Sequence, residues 1–157
     1  AEVAELLDTS VAAANSALQR ARAHLAEAAP TPDEVTEPTD GEKRALLERY
    51  VEAFERKDVA AIVDLLAEDA VWEMPPFTTW FVGRAQVARH LTEQCPGGPG
   101  DFDFVRTEAN GEPALGMYIA GKPFCLQAFT VRGSRFTHVV SFFDPRLFDT
   151  FGLPSGQ

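Results

Sequence analysis

Beyond Gly100 the apolar residues of this chain change period. The runs 101–109, 113–121, 123–132 and 135–144 are rich in Phe, Val and Thr and alternate with a spacing of two. They are separated by Asn110-Gly111, Gly121-Lys122 and Gly133-Ser134. Asn-Gly between two alternating runs is the strongest short hairpin signal, because the turn it favours needs positive φ at both central residues. Before Gly100 the spacing is helical. Leu46, Leu47, Tyr50, Val51 and Phe54 predict a helix over 41–56, with Asp40 as its N-cap. Asp58 is expected to cap a shorter helix that buries Val59, Ile62, Val63, Leu65 and Leu66. A strand is expected from Asp69, with Val71 and Glu73 alternating with Trp72 and Met74 until Pro75-Pro76 ends it. Gly83-Arg84 leads into a third helix, 84–94, closed by Pro96-Gly97-Gly98, and Asp144-Pro145 starts a last turn that docks Leu147, Phe148 and Phe151. Helices first and a meander of strands afterwards define an α+β domain, one strongly bent antiparallel sheet packed on helices. A sheet that curls around helices often encloses an apolar pocket.

The first 25 residues obey different rules. An apolar helix (Val3, Ala4, Leu6, Leu7) stops at Asp8-Thr9-Ser10, whose short oxygens suit a turn and an N-cap. A second helix follows from Val11 to Leu25, with Val11, Ala14, Leu18, Ala21 and Leu25 on one face. Asn15, Ser16, Gln19, Arg20 and Arg22 occupy the other, and such side chains read base edges and hold phosphates in a major groove. This is the pattern of the second half of a helix-turn-helix. The helix that would precede it and complete a small core is not in the sequence, so the chain reads as a piece of something larger. Val3, Leu6, Leu7, Val11 and Leu18 are therefore expected to pack on the later domain or on a second copy of the chain. The expected division is 1–26 for the partial helix-turn-helix, 27–40 for a Pro-rich acidic linker, and 41–157 for the α+β domain.

A net charge of −10 argues against a general nucleic-acid binder. The segment from Ser10 to Leu25 nevertheless holds Arg20, Arg22 and no acid, while Asp33, Glu34, Glu37, Asp40 and Glu42 crowd the linker and the residues after it. Such a chain is expected to bind DNA weakly by itself, since phosphate neutralisation supplies most of the affinity. Glu2, Glu5 and Asp8 near the start do not fit a signal peptide, and no apolar run approaches the roughly 20 residues of a bilayer span. Cys95 and Cys125 are far apart without metal-type spacing, which suits reduced thiols in a cytoplasmic protein.

Two chemistries are open to the α+β domain. Trp72, Met74, Trp80, Phe81, Phe104, Tyr118, Phe129, His138 and Phe142 are candidates to line a ligand pocket, or else to be packed core. Acid–base work needs a carboxylate or histidine with a tuned pKa beside an oxyanion donor. Glu73, Asp101, Asp103, His138 and Tyr118 are the available groups, but none form a dyad at recognisable spacing, so no catalytic residue is assigned. His24 and His90 have no histidine or cysteine partner at i+3 or i+4, so neither metal nor cofactor is expected.

The stretch from Glu2 to Arg22, with its short helix, Thr9-Ser10-Val11 turn, Ser16 before an apolar residue, and closing Arg20-Ala21-Arg22, resembles the end of region 4 of bacterial extracytoplasmic-function (ECF) sigma factors. Residues 41–154 resemble the SnoaL-like extension, of the nuclear transport factor 2-like superfamily, that one subset of these sigma factors carries. The landmarks are 46–58 (Leu-Leu-Glu-Arg-Tyr-Val-Glu-Ala-Phe-Glu-Arg-Lys-Asp), 69–76, Trp80-Phe-Val-Gly-Arg84, 106–114 and Phe142-Phe-Asp-Pro-Arg-Leu-Phe148. The resemblance implies a cone-shaped domain and a role as the C-terminal part of an alternative sigma factor. Region 4 would read the −35 promoter element, and the cone would regulate in cis, with a small apolar ligand as candidate signal. It implies RNA polymerase core and promoter DNA as partners in the intact protein, where other regions melt the −10 element, and it implies no membrane. A homodimer of the chain is a further candidate. The rival is a stand-alone SnoaL-like isomerase, cyclase or ligand-binding protein.

Overall fold

A computed structural model describes residues 2–28 and 38–155, which divide into two compact units, 1–36 and 37–157. The first unit holds α1 (Glu2–Leu6) and α2 (Val11–Ala28). Between them Asp8 takes a positive φ of 45° and the Thr9 N–H donates to the Ala4 carbonyl at 2.9 Å. The Ser10 hydroxyl accepts from the Ala13 N–H at 3.1 Å, so the small polar residues make the turn and cap expected of them. Ala4 is buried, but Leu6 is 86% exposed, and Val11 and Leu18 are about half exposed. Most of the expected linker, residues 29–37, lies outside the described residues, as does the side chain of Leu25.

The second unit opens with α3 (Asp40–Glu55). Its N-cap is Thr39, not Asp40. The Thr39 hydroxyl accepts from the Glu42 N–H at 3.3 Å and the Glu42 carboxylate accepts from the Thr39 N–H at 2.8 Å, a reciprocal capping box. Asp40 becomes the first helical residue, where its charge meets the positive end of the helix. The Thr39 N–H, and after it the Thr39 hydroxyl donating at 2.8 Å, hold the Glu42 carboxyl below its ordinary pKa. Asp58 caps α4 (Val59–Asp64), accepting from the Ala61 N–H at 3.0 Å. Leu65 and Leu66 do not continue this helix. Leu66 instead starts β1 (Leu66–Glu73), drawn out by pairing with Phe136 and by the Arg84 guanidinium, whose Nε donates to the Leu66 carbonyl at 2.9 Å.

A short strand, β2 (Trp80–Val82), precedes α5 (Arg84–Glu93); three residues are too few to show alternation in the sequence. The remaining strands follow their expected runs: β3 (Phe102–Ala109), β4 (Glu112–Ile119), β5 (Lys122–Arg132) and β6 (Arg135–Phe142), then α6 (Arg146–Thr150). The sheet order is β2-β1-β6-β5-β4-β3. Neighbours are antiparallel except β1 and β6, which run parallel, so the sheet is mixed and not purely antiparallel as expected. The reason is topological. Hairpins force antiparallel pairing within the meander, whereas β1 reaches the sheet from a helix and joins the far end of that meander across a long crossover.

Each strand offers alternate residues to the two faces of the sheet. One face packs on α3, α4 and α5 around Tyr50, Phe54, Leu66, Leu91, Phe129 and Phe136, all 2% exposed or less. The rings of Tyr50, Phe54, Phe104, Phe129 and Phe136 contact one another mainly edge-on or tilted, with centroids 4.8–6.5 Å apart. The reverse face is covered by Phe148 and Leu153, which pack on Tyr118 and Leu126. Gly116 permits that cover: a Cβ there would meet Leu153 Cδ1 at 2.8 Å.

Candidate functional site

The helices do not fill the concave face of the sheet. Near α5 they leave a cavity of about 560 Å³, well within the size range of small-molecule sites. Phe54 of α3, His90 and Leu91 of α5, and Gln94, Cys95 and Pro96 just after it form one side. Trp72 and Met74 at the end of β1, Phe77 and Thr79 in the following loop, and Phe81 of β2 form a second. Met117, Phe124, Cys125, Gln127, Ser141 and Phe143, from β4, β5 and the end of β6, form the sheet side. The lining contains no Asp, Glu, Lys or Arg.

Its polar groups are few and ordered. Inside the core, the Tyr50 hydroxyl donates to Gln127 Oε1 at 3.0 Å, and Gln127 Nε2 donates to Ser141 Oγ at 3.1 Å. Gln127 and Ser141 are 1–2% exposed. His90 stacks on Phe81 with ring centroids 4.3 Å apart, and its Nδ1 lies 3.0 Å from Gln94 Oε1. Lys57 pins the turn after α5 by donating to the Cys95 carbonyl at 2.8 Å, with its ammonium over the Phe102 ring. Burial pushes the Tyr50 hydroxyl well above its ordinary pKa, with a smaller push from Cys125. Burial likewise raises the Cys125 thiol, Cys95 adding to the effect, so it stays protonated. The chain has two cysteines and two methionines, and all four sulfur atoms belong to residues lining this cavity. Cys125 Sγ and Met117 Sδ are 3.8 Å apart.

Of the nine pocket candidates read from the sequence, the structure brings Trp72, Met74 and Phe81 together on the cavity. Phe104 and Phe129 are deeper, in the aromatic packing around Tyr50. Trp80 pairs with Glu73 across β1 and β2 and is 63% exposed. His138 faces the same way as Glu73, its Nε2 3.1 Å from Glu73 Oε1, away from the cavity. Tyr118 packs on Phe148 with its hydroxyl donating to the Pro154 carbonyl at 2.8 Å, and Phe142 lies beside Leu147 and Phe151. Asp101 caps a turn by accepting from the Gly98 N–H at 2.7 Å, and Asp103 pairs with Tyr118 along β3 and β4. Sequence reasoning missed Gln127 and Ser141. A signal existed: each is a polar residue in a slot whose neighbours two residues away, Cys125 and Phe129, or Val139 and Phe143, face the core.

In the first unit, Asn15, Ser16, Gln19, Arg20 and Arg22 are all exposed on α2. Among the described residues no group of His, Cys, Asp and Glu is arranged to hold a metal ion, and no helix is long and apolar enough to cross a membrane.

A curved mixed sheet wrapped on helices around an apolar cavity is the architecture of SnoaL-like domains. The chain belongs to the SnoaL-like domain family, whose pattern matches residues 47–146. The resemblance to ECF sigma factors is matched as well. Over 160 aligned positions the chain is 42% identical to the ECF RNA polymerase sigma factor SigG of Mycobacterium tuberculosis, covering 98% of this chain and 43% of that protein. It therefore spans less than half the length of the curated relatives it matches. Its fold is also that of an NTF-2 like protein of unknown function from Burkholderia xenovorans, with a TM-score of 0.56, 21% identity, and 67% of this chain and 84% of that one covered. A SnoaL-like protein of unknown function from Burkholderia thailandensis gives a TM-score of 0.55 at 17% identity, covering 69% and 99% of the two chains.

Proposed function

We propose that this chain serves as the promoter-reading end and the regulatory domain of an alternative sigma factor, within a longer protein that engages RNA polymerase in the cytoplasm. In this reading α2 is the recognition helix for the −35 element, with Asn15, Ser16, Gln19 and Arg20 toward base edges and Arg22 toward phosphate. The SnoaL-like cone acts in cis on the sigma factor, and a small apolar ligand in its cavity is the signal. One observation carries the proposal: the 42% identity to SigG extends over 98% of the chain, so the helix pair and the cone recur together. The cone is read as non-catalytic. Its cavity lacks a carboxylate, and the one carboxylate–histidine pair near it, Glu73 and His138, is turned to the other face of the sheet.

The test uses the intact sigma factor that contains this chain. Removing residues 41–157 is expected to change output from its target promoter, and unchanged output would sink the regulatory reading. Arg20→Ala in the same protein is expected to weaken promoter binding by about 1–3 kcal/mol if Arg20 reads a base. Binding that is equally strong on matched and scrambled promoters, with and without Arg20, would remove α2 from the recognition role.

A further inference from the structure

We infer that the ligand of the cavity is an uncharged, ring-bearing organic molecule that presents one hydrogen-bond acceptor, a carbonyl or ether oxygen, to the Ser141 hydroxyl. This inference rests on the reading of the cone as a ligand sensor and specifies what the sensor takes.

Three observations carry it. First, the lining offers no Asp, Glu, Lys or Arg. An ammonium would find no carboxylate there and an anion no Lys or Arg, while the lining's one histidine, His90, is already stacked on Phe81 and bonded to Gln94. An unpaired ion in an apolar site is heavily penalised. Second, the hydrogen bonds of the core run in one direction. Tyr50 spends its only hydrogen on Gln127 Oε1, and Gln127 Nε2 spends one of its hydrogens on Ser141 Oγ. Ser141 therefore accepts from the core, and its own O–H has only the Cys125 sulfur beside it, a weak acceptor that a ligand oxygen on the cavity side would displace. The relay ends in a donor, so it selects a ligand acceptor. Third, the walls are soft and flat. Rings from Trp72, Phe81 and Phe143 combine there with the sulfurs of Met74, Met117 and Cys125. Thioether sulfur makes favourable contacts at ring edges, and aromatic walls favour an offset or edge-on ring over a flexible chain.

The experiment is equilibrium dialysis of the full chain against three probes of one shape. They are 2-acetylnaphthalene, which has an acceptor, 2-ethylnaphthalene, which lacks one, and 2-naphthoate, which is charged. The expected result is that 2-acetylnaphthalene binds roughly fivefold more tightly than 2-ethylnaphthalene, about what one net hydrogen bond supplies. Retention of 2-naphthoate is expected to be undetectable. Ser141→Ala should erase the preference for the acetyl probe, and Cys95→Trp, which replaces a small lining side chain by a large ring, should abolish retention of both neutral probes. Ser141→Cys, which keeps the shape and weakens the donor, replaces Ser141→Ala if the alanine variant does not fold. Equal binding of the two neutral probes by the unaltered protein overturns the acceptor assignment, and retention of 2-naphthoate overturns the uncharged class. Retention of none overturns the inference altogether. None of these failures touches the promoter-output test above, which asks whether the cone regulates at all.

Discussion

Leu6 in α1 and Phe54 in α3 are both large apolar residues on helices, yet Leu6 is 86% exposed and Phe54 is 1% exposed. The local signals of the two helical regions are equally complete. Ser10 caps α2 and Thr39 caps α3, each accepting from an N–H three residues on. What differs is the second layer. Phe54 has a six-stranded sheet opposite it, with Phe102, Phe104 and Tyr50 at 5.0–5.8 Å between ring centroids. Within their own unit α1 and α2 have only each other to pack on, and two helices cannot bury an apolar stripe on every side. Caps and periodicity therefore make a helix, while burial of its apolar face requires a partner layer.

Substitutions can break or sharpen this contrast. Phe54→Ala is expected to cost the cone about 3–5 kcal/mol in urea unfolding, because it removes a ring from the centre of the aromatic packing. A loss below about 1 kcal/mol would place the stabilising core elsewhere. Tyr50→Phe keeps the ring but leaves Gln127 Oε1 without its donor, and should cost about 1–3 kcal/mol by the same measurement. The buried thiol and hydroxyl also set an alkaline limit. Their pKa values are raised in the folded cone, while in the unfolded chain they return to about 9.0 for Cys125 and 10.0 for Tyr50. Their contribution is fully present below the unfolded values and is lost as pH rises toward the folded ones, since only the unfolded chain releases protons in that window. Urea midpoints should accordingly fall from about pH 9 upward, and Cys125→Ala should delay the start of that fall. A pH-independent midpoint would remove the buried thiol from the account. The smallest effect is expected at Leu6→Ser, less than about 0.5 kcal/mol by circular dichroism melts, as for an exposed site. A loss above about 1 kcal/mol would mean that something covers α1.

Much of the cone was legible because its signals are local. The four-strand meander announces itself at Asn110-Gly111, and Asp58 announces α4. The errors fall where long-range pairing overrides local pattern. Leu66 has a helical neighbourhood but is captured by Phe136, and the parallel direction of β1 against β6 is set by the crossover and not by any residue in either strand. The pocket was partly legible for a related reason. Trp72, Met74 and Phe81 were recognised by size and apolarity, as were Phe104 and Phe129, but only register decides which large apolar residues meet empty space and which meet one another. A slip of one residue separates Trp72, on the cavity, from Glu73, on the reverse face with His138. The polar relay is not legible from the search for acid–base groups, which picks out the titratable Glu73, Asp101, Asp103, His138 and Tyr118 and passes over the uncharged Gln127 and Ser141.

The parallel seam between β1 and β6 also has a temporal meaning. β1 closes on residues 67 positions later, since Val71 pairs with His138 and Glu73 with Val140. During synthesis, one wall of the cavity, Trp72 and Met74, emerges long before Ser141 and Phe143 exist to face it. Contacts this distant along the chain form slowly and late. The helix pair at the start of the sequence is thus made many seconds before the cone can hold anything, at ordinary elongation rates of about 5–20 residues per second. A molecule held between Trp72 and Ser141 can be enclosed only after translation has passed Phe143, so the order of synthesis alone separates the making of the helix pair from any filling of the cavity.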